Sequence, residues 1–335
     1  RTKYWKRFMR PSKKVCVVGA GHWGGNHIRT LYELGSLGGI VDNNKQTLSD
    51  FKTKYPSISL FQTVSDAIKL GKYSGYVVAT PAETHYKIAL EIMNSGCHVL
   101  VEKPVTLNSK EVSHMKQTAE IVKVNFMAGH VLLFHPAIQK IKEMIVTNVI
   151  GDLQYIYSNR LNLGTVRMEE NVFWSLAPHD ISVFQYFTKS KPMKITSTGG
   201  AFLQDNIHDT TLTILEYEQN IKGHIFVSWL HPFKEHRLIV MGSKGMISFE
   251  DSIENKPLKL YSKGYTLKDA IPTKKDGPVD LIDYENSMPL TEELKYFIQH
   301  MDGSPLEIAN ADNAVEVVDI LIKASESLMK GVPIE

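Results

Sequence analysis

Long apolar runs, cysteines and metal-binding motifs are all scarce in this chain of 335 residues. No apolar stretch approaches the roughly 18 residues that a membrane-spanning helix needs, so no membrane role is expected. The only cysteines, Cys16 and Cys97, argue against a disulfide scaffold and favour a reducing compartment, so we expect a cytoplasmic protein. Neither an HExxH nor a CxxC spacing occurs, and no metal site is predicted.

Acidic residues are absent from the first fourteen positions, which carry seven Lys or Arg. The rest of the chain has 31 basic and 36 acidic residues, a net charge of −5, against +2 for the whole. Because the chain after residue 14 has a negative net charge, we do not expect it to bind nucleic acid. We interpret residues 1–13 as a basic extension, either a solvated arm or a contact for an anionic partner. It runs into VCVVGAG without the apolar segment of a secretory signal.

The length favours two domains, because single cores rarely grow beyond about 250–300 residues. Over residues 14–133, short β-branched runs such as KVCVV and GYVVAT alternate with helical patterns. The helices are predicted near 24–34, 45–54, 64–70, 83–95 and 109–119. Continuous apolar strands that alternate with helices predict a parallel sheet covered on both faces. We therefore predict a doubly wound α/β domain of the Rossmann, dinucleotide-binding type over 14–133.

The pattern changes after a helix predicted near 136–146. The strands predicted next are LQYIYSNRLNL, MKITSTGG, DTTLTILEYE, IKGHIFVSWL, HRLIVMGS and GMISFED. Because these strands follow one another with turns between them, as in hairpins, they predict an α+β domain over 134–335 that is built on a large, mostly antiparallel open sheet. Further helices are expected near 178–188, 291–301 and 311–330, and the polar segment 262–290 is interpreted as a long loop.

The stretch VCVVGAGHWGGNH places Gly19, Gly21 and Gly24 in GxGxxG spacing between a strand and a helix. That spacing is weak evidence alone, but this context is what a dinucleotide site requires: a tight turn, close approach to pyrophosphate, and helix packing at the third glycine. The start of the helix then offers free N–H groups and a positive dipole to the phosphates.

Asp42 ends the next predicted strand, 23 positions after Gly19, and suits a carboxylate that binds ribose hydroxyls. It would repel a 2′-phosphate. Asn43 and Asn44 follow where NADP sites often carry Arg, so NAD is favoured, although Lys45 leaves NADP open.

Two further strand ends lie where ligands of open α/β sheets collect. In ATPAETHY, Thr80 and Pro81 end a strand and His85 sits on the first turn of the next helix. In VEKPVT, Glu102 and Lys103 interrupt an apolar run where a buried strand emerges. Charges at such a position need a functional reason.

The segments GAGHWG, ATPAETH and VEKP, in this order and spacing, resemble the glucose-fructose oxidoreductase and inositol dehydrogenase family, Gfo/Idh/MocA. The resemblance covers nearly the whole chain and implies that Lys103 contacts both substrate and the nicotinamide ribose. A lysine beside the cationic nicotinamide would have a lowered pKa, which suits proton transfer. The residues predicted to bind the cofactor are Gly19, Gly21, His22, Trp23, Gly24, Asp42, Asn43, Thr80, Pro81, His85, Glu102 and Lys103.

Family members commonly place an Asp four residues before a His at the mouth of the substrate pocket. In VFWSLAPHDIS, His179 matches this histidine, but Ser175 stands where the Asp is expected. Either His179 and Lys103 suffice as the catalytic pair, or Asp180 compensates. Adjacent residues on a helix diverge by roughly 100°, which argues against compensation, and an imidazole with its ordinary pKa near 6.5 can exchange protons unaided.

SNRLNLGTVR, ENVFWSLAPHDIS and HIFVSWLHPFKEHRLIVMGSKG resemble the nucleotide-sugar 3-dehydrogenase branch of the family. Strand alternation puts Arg160 and Asn162 on one face, where they could donate to sugar hydroxyls, an acetamido oxygen or phosphate. The alternative is an exposed sheet face. The predicted substrate contacts are Lys103, Arg160, Asn162, Ser175 and His179.

The resemblance implies NAD-dependent oxidation of the 3-hydroxyl of a UDP-linked amino sugar, of the UDP-N-acetylglucosamine type. It also implies a homo-oligomer formed through the C-terminal sheet, and a PLP-dependent aminotransferase as the next enzyme. Two alternatives stay open: a dehydrogenase or ketoreductase for another sugar, such as a UDP-uronate or a free polyol, and a non-catalytic NAD-binding sensor.

Overall fold

The structure of the protein, a computed structural model, describes residues 13–335. The predicted basic extension thus lies outside the described residues, apart from Lys13. The chain forms two compact units. The first comprises Arg1–Thr106, described from Lys13, with Glu111–Gly129 and Leu290–Ala311; the second comprises Leu107–Lys110, His130–Pro289 and Asp312–Glu335.

Helices and strands alternate along the first part of the chain, whereas strands predominate after about residue 190. The helices are α1 (His22–Glu33), α2 (Lys45–Lys54), α3 (Val64–Leu70), α4 (Ala82–Asn94), α5 (Ser109–Val122), α6 (Pro136–Val146), α7 (Val172–Leu176), α8 (Pro178–Thr188), α9 (Pro289–His300) and α10 (Ala311–Lys330). The strands are β1 (Val15–Val18), β2 (Leu37–Val41), β3 (Ser59–Phe61), β4 (Gly75–Val78), β5 (His98–Glu102), β6 (Phe126–Gly129), β7 (Leu153–Leu163), β8 (Lys194–Gly200), β9 (Thr210–Glu216), β10 (Lys222–Ser228), β11 (Leu230–Gly242), β12 (Met246–Glu250), β13 (Leu258–Tyr261), β14 (Gly264–Lys268), β15 (Ile271–Lys275) and β16 (Val279–Leu281).

The first unit holds a six-stranded parallel sheet in the order β3-β2-β1-β4-β5-β6. Every residue of β1, β4 and β6 is buried, as expected for strands covered on both faces. Asn44 and Thr63 cap α2 and α3 by accepting from backbone N–H groups of the first turn. The predicted doubly wound α/β fold is confirmed, and β3 is a strand that the sequence pattern missed.

Helix α9 belongs to the first unit, which differs from the prediction that the whole of 134–335 forms one domain. Its packing gives the reason. A Cβ added at Gly75 in β4 would lie 2.5 Å from Sδ of Met301 and 3.0 Å from the ring of Phe297. The absence of a side chain at Gly75 thus lets α9 and Met301 pack on the first sheet, a contact between segments more than 200 residues apart that has no local sequence signal.

The second unit holds an eight-stranded sheet in the order β16-β13-β12-β11-β7-β10-β9-β8. All its strand pairs are antiparallel except β7 with β10. This confirms the predicted large, mostly antiparallel sheet. Strand β7 is central, with β11 and β10 on its two sides.

The interpretation of residues 262–290 as a long loop is wrong. Strands β14 and β15 pair as a hairpin, and β16 joins the edge of the large sheet through β13. Nearly every residue of these three strands is exposed, so they lack the buried apolar alternation that reveals a strand in sequence. Helix α7 was also missed, since five residues carry too little periodicity.

No helix within residues 13–335 combines the length and the apolar character needed to cross a membrane. In the same range, His, Cys, Asp and Glu form no group of three or more that could hold a metal ion.

Candidate active site

The glycine loop after β1 is shaped by three glycines with different surroundings. Gly19 has φ +90°, and a Cβ there would lie 2.7 Å from the carbonyl oxygen of Ala79. A Cβ at Gly24 would lie 1.9 Å from the carbonyl oxygen of Gly19. A Cβ at Gly21 would meet no atom within 4 Å. The first and third positions therefore pack backbone on backbone, whereas the second leaves open space where pyrophosphate can approach.

A cleft beside this loop has a volume of about 450 Å³, within the range of small-molecule sites. It lies at the carboxyl ends of β1, β2 and β4. Its lining includes the predicted residues Gly19, Gly21, Asp42, Asn43, Thr80 and Pro81. Sequence reasoning did not identify Gln62, Val64, Thr84 and Ile88, which also line it.

Asp42 is oriented by the backbone around it. Its Oδ2 accepts from the N–H of Ala20 at 2.8 Å, and its Oδ1 accepts from the N–H of Asn44 at 2.8 Å. These bonds hold the carboxylate at the cleft, where it can accept from ribose hydroxyls. Together with the open space at Gly21, this arrangement fits a nicotinamide dinucleotide.

Glu102, at the end of β5, connects the glycine loop to Lys103. Its Oε1 accepts from Nε1 of Trp23 and lies 2.7 Å from Nε2 of His27, and its Oε2 accepts from the backbone N–H of Lys103 at 3.1 Å. Burial opposes ionisation of Glu102, but the bonds from His27 and Trp23 outweigh it and lower the pKa. An ionised carboxylate therefore holds the start of α1 to the residue predicted to transfer protons.

His27 and Glu293 belong to this cluster and were missed. His27 follows Trp23 by four residues, a helical spacing that puts both on one face of α1, so this signal was present in the sequence. Glu293, on α9, is completely buried. Burial, and then the charge of Glu102, raise its pKa well above the ordinary value, so it is a neutral acid near an ionised one. No local pattern predicts that pairing.

His85 and His22, two of the residues predicted to bind the cofactor, differ in exposure. His85 is 1% exposed, with Nε2 2.7 Å from the carbonyl oxygen of Thr80 and Nδ1 3.1 Å from that of Pro104. Burial lowers its pKa despite these carbonyls. The ring thus joins the loops after β4 and β5 behind the cleft, and direct contact with the cofactor stays a prediction. His22 is exposed at the start of α1.

In the second unit, α7 and α8 place Ser175 and His179. Asn171 caps α7 by accepting from the N–H groups of Phe173 and Trp174, and Ser175 is buried within that helix. Helix α8 follows directly, with Pro178 in its first turn and no side-chain hydrogen bond at its N-cap, Ala177. His179 is half-buried, and its carbonyl oxygen accepts from Oγ of Ser182 at 2.8 Å.

The guanidinium of Arg160 is occupied by protein atoms. Its Nε and Nη2 each donate to Asp180 at 2.9 Å, and Nη1 lies 3.4 Å from Nδ1 of His236. Burial, and then the charge of Arg160, lower the pKa of His236 to about 4, so this imidazole is neutral and can accept from Arg160. Direct contact between Arg160 and substrate stays a prediction, and it would have to use atoms that Asp180 and His236 already engage. Asn162, two residues along the same face, is half-buried.

Comparison with known proteins identifies the family. Residues 13–130 match the family model described as an oxidoreductase family with an NAD-binding Rossmann fold, and residues 138–248 match the Gfo/Idh/MocA C-terminal domain. The chain belongs to the Gfo/Idh/MocA family. It is an oxidoreductase of that family with an NAD-binding Rossmann fold, as the sequence motifs predicted.

One relative is the UDP-N-acetylglucosamine 3-dehydrogenase of Acidithiobacillus ferrooxidans, 24% identical over 273 residues that cover 79% of this chain and 82% of that protein. A solved structure of this dehydrogenase superposes with a TM-score of 0.83 at 20% identity, covering 95% of this chain and 97% of that one. The WlbA dehydrogenase of Bordetella pertussis, in complex with NADH and UDP-GlcNAcA, superposes with a TM-score of 0.78 at 18% identity, covering 97% and 98%. At such identities the structures establish the shared fold alone.

Proposed function

We propose that the protein oxidises the 3-hydroxyl of a UDP-linked amino sugar, of the UDP-N-acetylglucosamine type, to the 3-keto sugar. The observation that carries this proposal is the position of Lys103. Its backbone N–H donates to Glu102, and the same carboxylate holds Trp23 of the glycine loop. These bonds tie the backbone of Lys103 to the start of α1 beside the glycine loop, which supports a role for its side chain in handling a proton where hydride leaves the sugar.

When bound, NAD⁺ supplies the hydride acceptor for C3 of the sugar. The protein's own residues manage the proton and the orientation of the substrate. One proton leaves the hydroxyl group, and Lys103 and His179 are the residues that we propose to handle it, while Asn162 and Ser175 would offer hydrogen bonds to the sugar. Asp42, with Asn43 beside it, selects NAD over NADP, because the carboxylate repels a 2′-phosphate.

The relatives support the proposed sugar. A UDP-N-acetylglucosamine 3-dehydrogenase matches along most of this chain, and the resemblance of ENVFWSLAPHDIS to that branch gives the same substrate class. A 3-keto product would be suited to a PLP-dependent aminotransferase as the next enzyme, since such enzymes convert ketones to amines.

We also propose that the exposed face of the large sheet pairs two copies of the chain. In-register neighbours Tyr157, His224 and Ile214 form a row on that face, and Leu212 lies beside them. Ile214 and Leu212, on β9, are 41% and 36% exposed, high values for apolar residues of a strand that is not at the edge of its sheet. Light scattering should give the mass of an oligomer, whereas Ile214→Lys should shift the mass towards that of one chain. A wild-type mass of one chain would contradict this assembly.

The decisive test is turnover with defined sugars. Purified protein would be incubated with NAD⁺ and UDP-N-acetylglucosamine, a UDP-uronate, glucose 6-phosphate or myo-inositol, while NADH absorbance is followed. We expect turnover of the UDP-amino sugar and, with substrate deuterated at C3, transfer of the label to the nicotinamide. Lys103→Met provides the matched inactive control.

Each alternative has its own outcome in this assay. If only another sugar is turned over, that sugar is the substrate and the proposed one is wrong. If NADH forms without the deuterium label from C3, the oxidised hydroxyl is not the one at C3. Because 2,7-anhydro-N-acetylneuraminate hydratases are among the relatives, the sugars should also be analysed by mass spectrometry for a product formed without net NADH. NAD⁺ binding without conversion of any sugar would favour the sensor.

A further inference from the structure

Asp180, the residue after His179, is anchored to the large sheet by three hydrogen bonds. Its Oδ1 accepts from Oγ of Ser158 at 2.5 Å and from Nη2 of Arg160 at 2.9 Å, and its Oδ2 accepts from Nε of Arg160 at 2.9 Å. The two bonds from Arg160 form a bidentate pair, the geometry that fixes a carboxylate most completely.

The anchor is attached to a rigid part of the unit. Ser158 and Arg160 lie two residues apart on one face of β7, the central strand. Arg160 is in register with Val227 of β10 on one side and with His236 of β11 on the other, so its backbone is held from both directions. Movement of Asp180 would break its hydrogen bonds to side chains of this central strand.

The start of α8 lacks the side-chain cap that α7 has. Ala177 makes no side-chain capping bond, whereas α7 is capped by Asn171. The side chains of Arg160 and Asp180 are only 12% and 5% exposed. Buried pairs of this kind contribute little net stability because desolvation offsets their attraction, so a role in specifying geometry explains this pair better than a role in stability.

We propose that Asp180 and Arg160 are positioning residues that fix the direction of the His179 side chain. Adjacent residues on a helix point about 100° apart, so holding Asp180 against β7 fixes the rotation of α8 and with it the direction of His179. A proton-transfer group loses much of its effect when displaced by about 1 Å. This inference rests on the proposed function, in which His179 exchanges the hydroxyl proton.

The kinetic test is a double-mutant cycle. Asp180→Asn keeps the shape of the side chain but loses its charge, and we expect kcat to fall about 10- to 100-fold while the Kd of NADH stays within about twofold. In a His179→Asn background, the same change should lower kcat less than about twofold, because the group it positions is gone. Equal losses in both backgrounds would overturn the proposal.

Conservative variants separate positioning from general damage. Arg160→Lys keeps the positive charge but loses the two parallel N–H donors of the guanidinium, so its kcat should lie between those of wild type and Arg160→Met. Tyr217→Phe is the matched control, because Tyr217 contacts Gln185 near the other end of α8, at 3.2 Å. It should leave kcat within about twofold of wild type; a loss as large as that of Asp180→Asn would mean that any weakening of α8 has the same effect.

A spectroscopic test needs no substrate. In protein with isotope-labelled histidine, the imidazole resonances of His179 are assigned from their absence in His179→Asn. We expect these resonances to shift in Asp180→Asn and Arg160→Met but not in Tyr217→Phe. Unchanged resonances in the first two variants would overturn the positioning role even if the sugar assay succeeds. If the resonances shift but the protein oxidises no UDP sugar, the positioning role is supported and the proposed function is wrong.

Discussion

The cofactor cleft in the first unit is shaped mainly by backbone, whereas His179 in the second unit depends on side chains. Gly19 and Gly24 allow backbone segments to approach so closely that a single Cβ would collide. In the second unit, Arg160 and Asp180 join α8 to β7 through charge and hydrogen bonds. Where two backbone segments touch, only glycine fits, whereas a bond between two side chains can be made by another pair of residues. The two sites should therefore respond differently to substitution.

The largest expected effect is at Gly24. Gly24→Ala would place Cβ 1.9 Å from the carbonyl oxygen of Gly19, so we expect the loop to be displaced and NADH binding to weaken by about 100-fold or more. Gly25→Ala is the matched control, because its Cβ would meet only the ring of Phe51 at 4.0 Å. It should stabilise α1 by up to about 1 kcal/mol. Calorimetry with NADH and thermal unfolding measure both, and equal NADH affinity in the two variants would contradict the steric argument.

Lys103→Met should produce the next largest effect. Removal of a positioned proton-transfer group typically costs about 10² or more in rate, while the backbone bond between residue 103 and Glu102 can remain. We therefore expect kcat to fall at least about 100-fold with NADH affinity nearly unchanged. Stopped-flow turnover and calorimetry provide the two measurements. Near-normal turnover would exclude Lys103 from the chemistry.

Cofactor preference should change more moderately. Asp42→Ala combined with Asn43→Arg removes a charge that repels a 2′-phosphate and adds one that attracts it. We expect wild type to bind NADH more tightly than NADPH, and the double variant to narrow or reverse the difference, by about tenfold or more. Asn44→Ala is a useful control, since Asn44 caps α2 with its side chain and should affect stability more than preference. Tighter binding of NADPH by wild type would contradict the proposed use of NAD.

The contrast between the units also explains what the sequence could predict. The glycine spacing, the acid after β2 and the EKP motif are local signals: Gly19, Gly21 and Asp42 line the cleft, and Glu102 ends β5. The partners of Arg160 lie 20 and 76 residues away, and Glu293 approaches Glu102 from a segment nearly 200 residues later. Such pairings depend on the order of strands and on where the chain returns, which no local pattern determines.

His236 makes the second unit sensitive to acid. Its pKa is about 4 in the folded protein, lowered by burial and by Arg160, against about 6.5 in an unfolded chain. The folded state thus binds fewer protons between these values, and stability is lost as pH falls from 6.5 towards 4. His236→Gln should reduce the difference in Tm between pH 7.5 and pH 5, by on the order of 5 °C. His22→Gln, at an exposed site, should leave that difference as in wild type; the same response in both variants would contradict the assignment.

The smallest expected effect is at Ser175, where family members commonly have an acid. If Ser175 only fills the space of that acid, Ser175→Ala loses one hydroxyl contact, worth about 0.5–1.5 kcal/mol, and turnover should fall by no more than about tenfold. His179→Asn should instead change the shape of the acid limb of the pH–rate profile, because asparagine does not titrate near neutrality. NADH production measured from pH 5 to 9 on both variants distinguishes the two roles. The opposite result would be a large loss of turnover in Ser175→Ala together with normal turnover and an unchanged acid limb in His179→Asn. That result would assign the chemistry to the serine and not to the histidine. The bonds between Asp180 and Arg160 would then have no catalytic group to position.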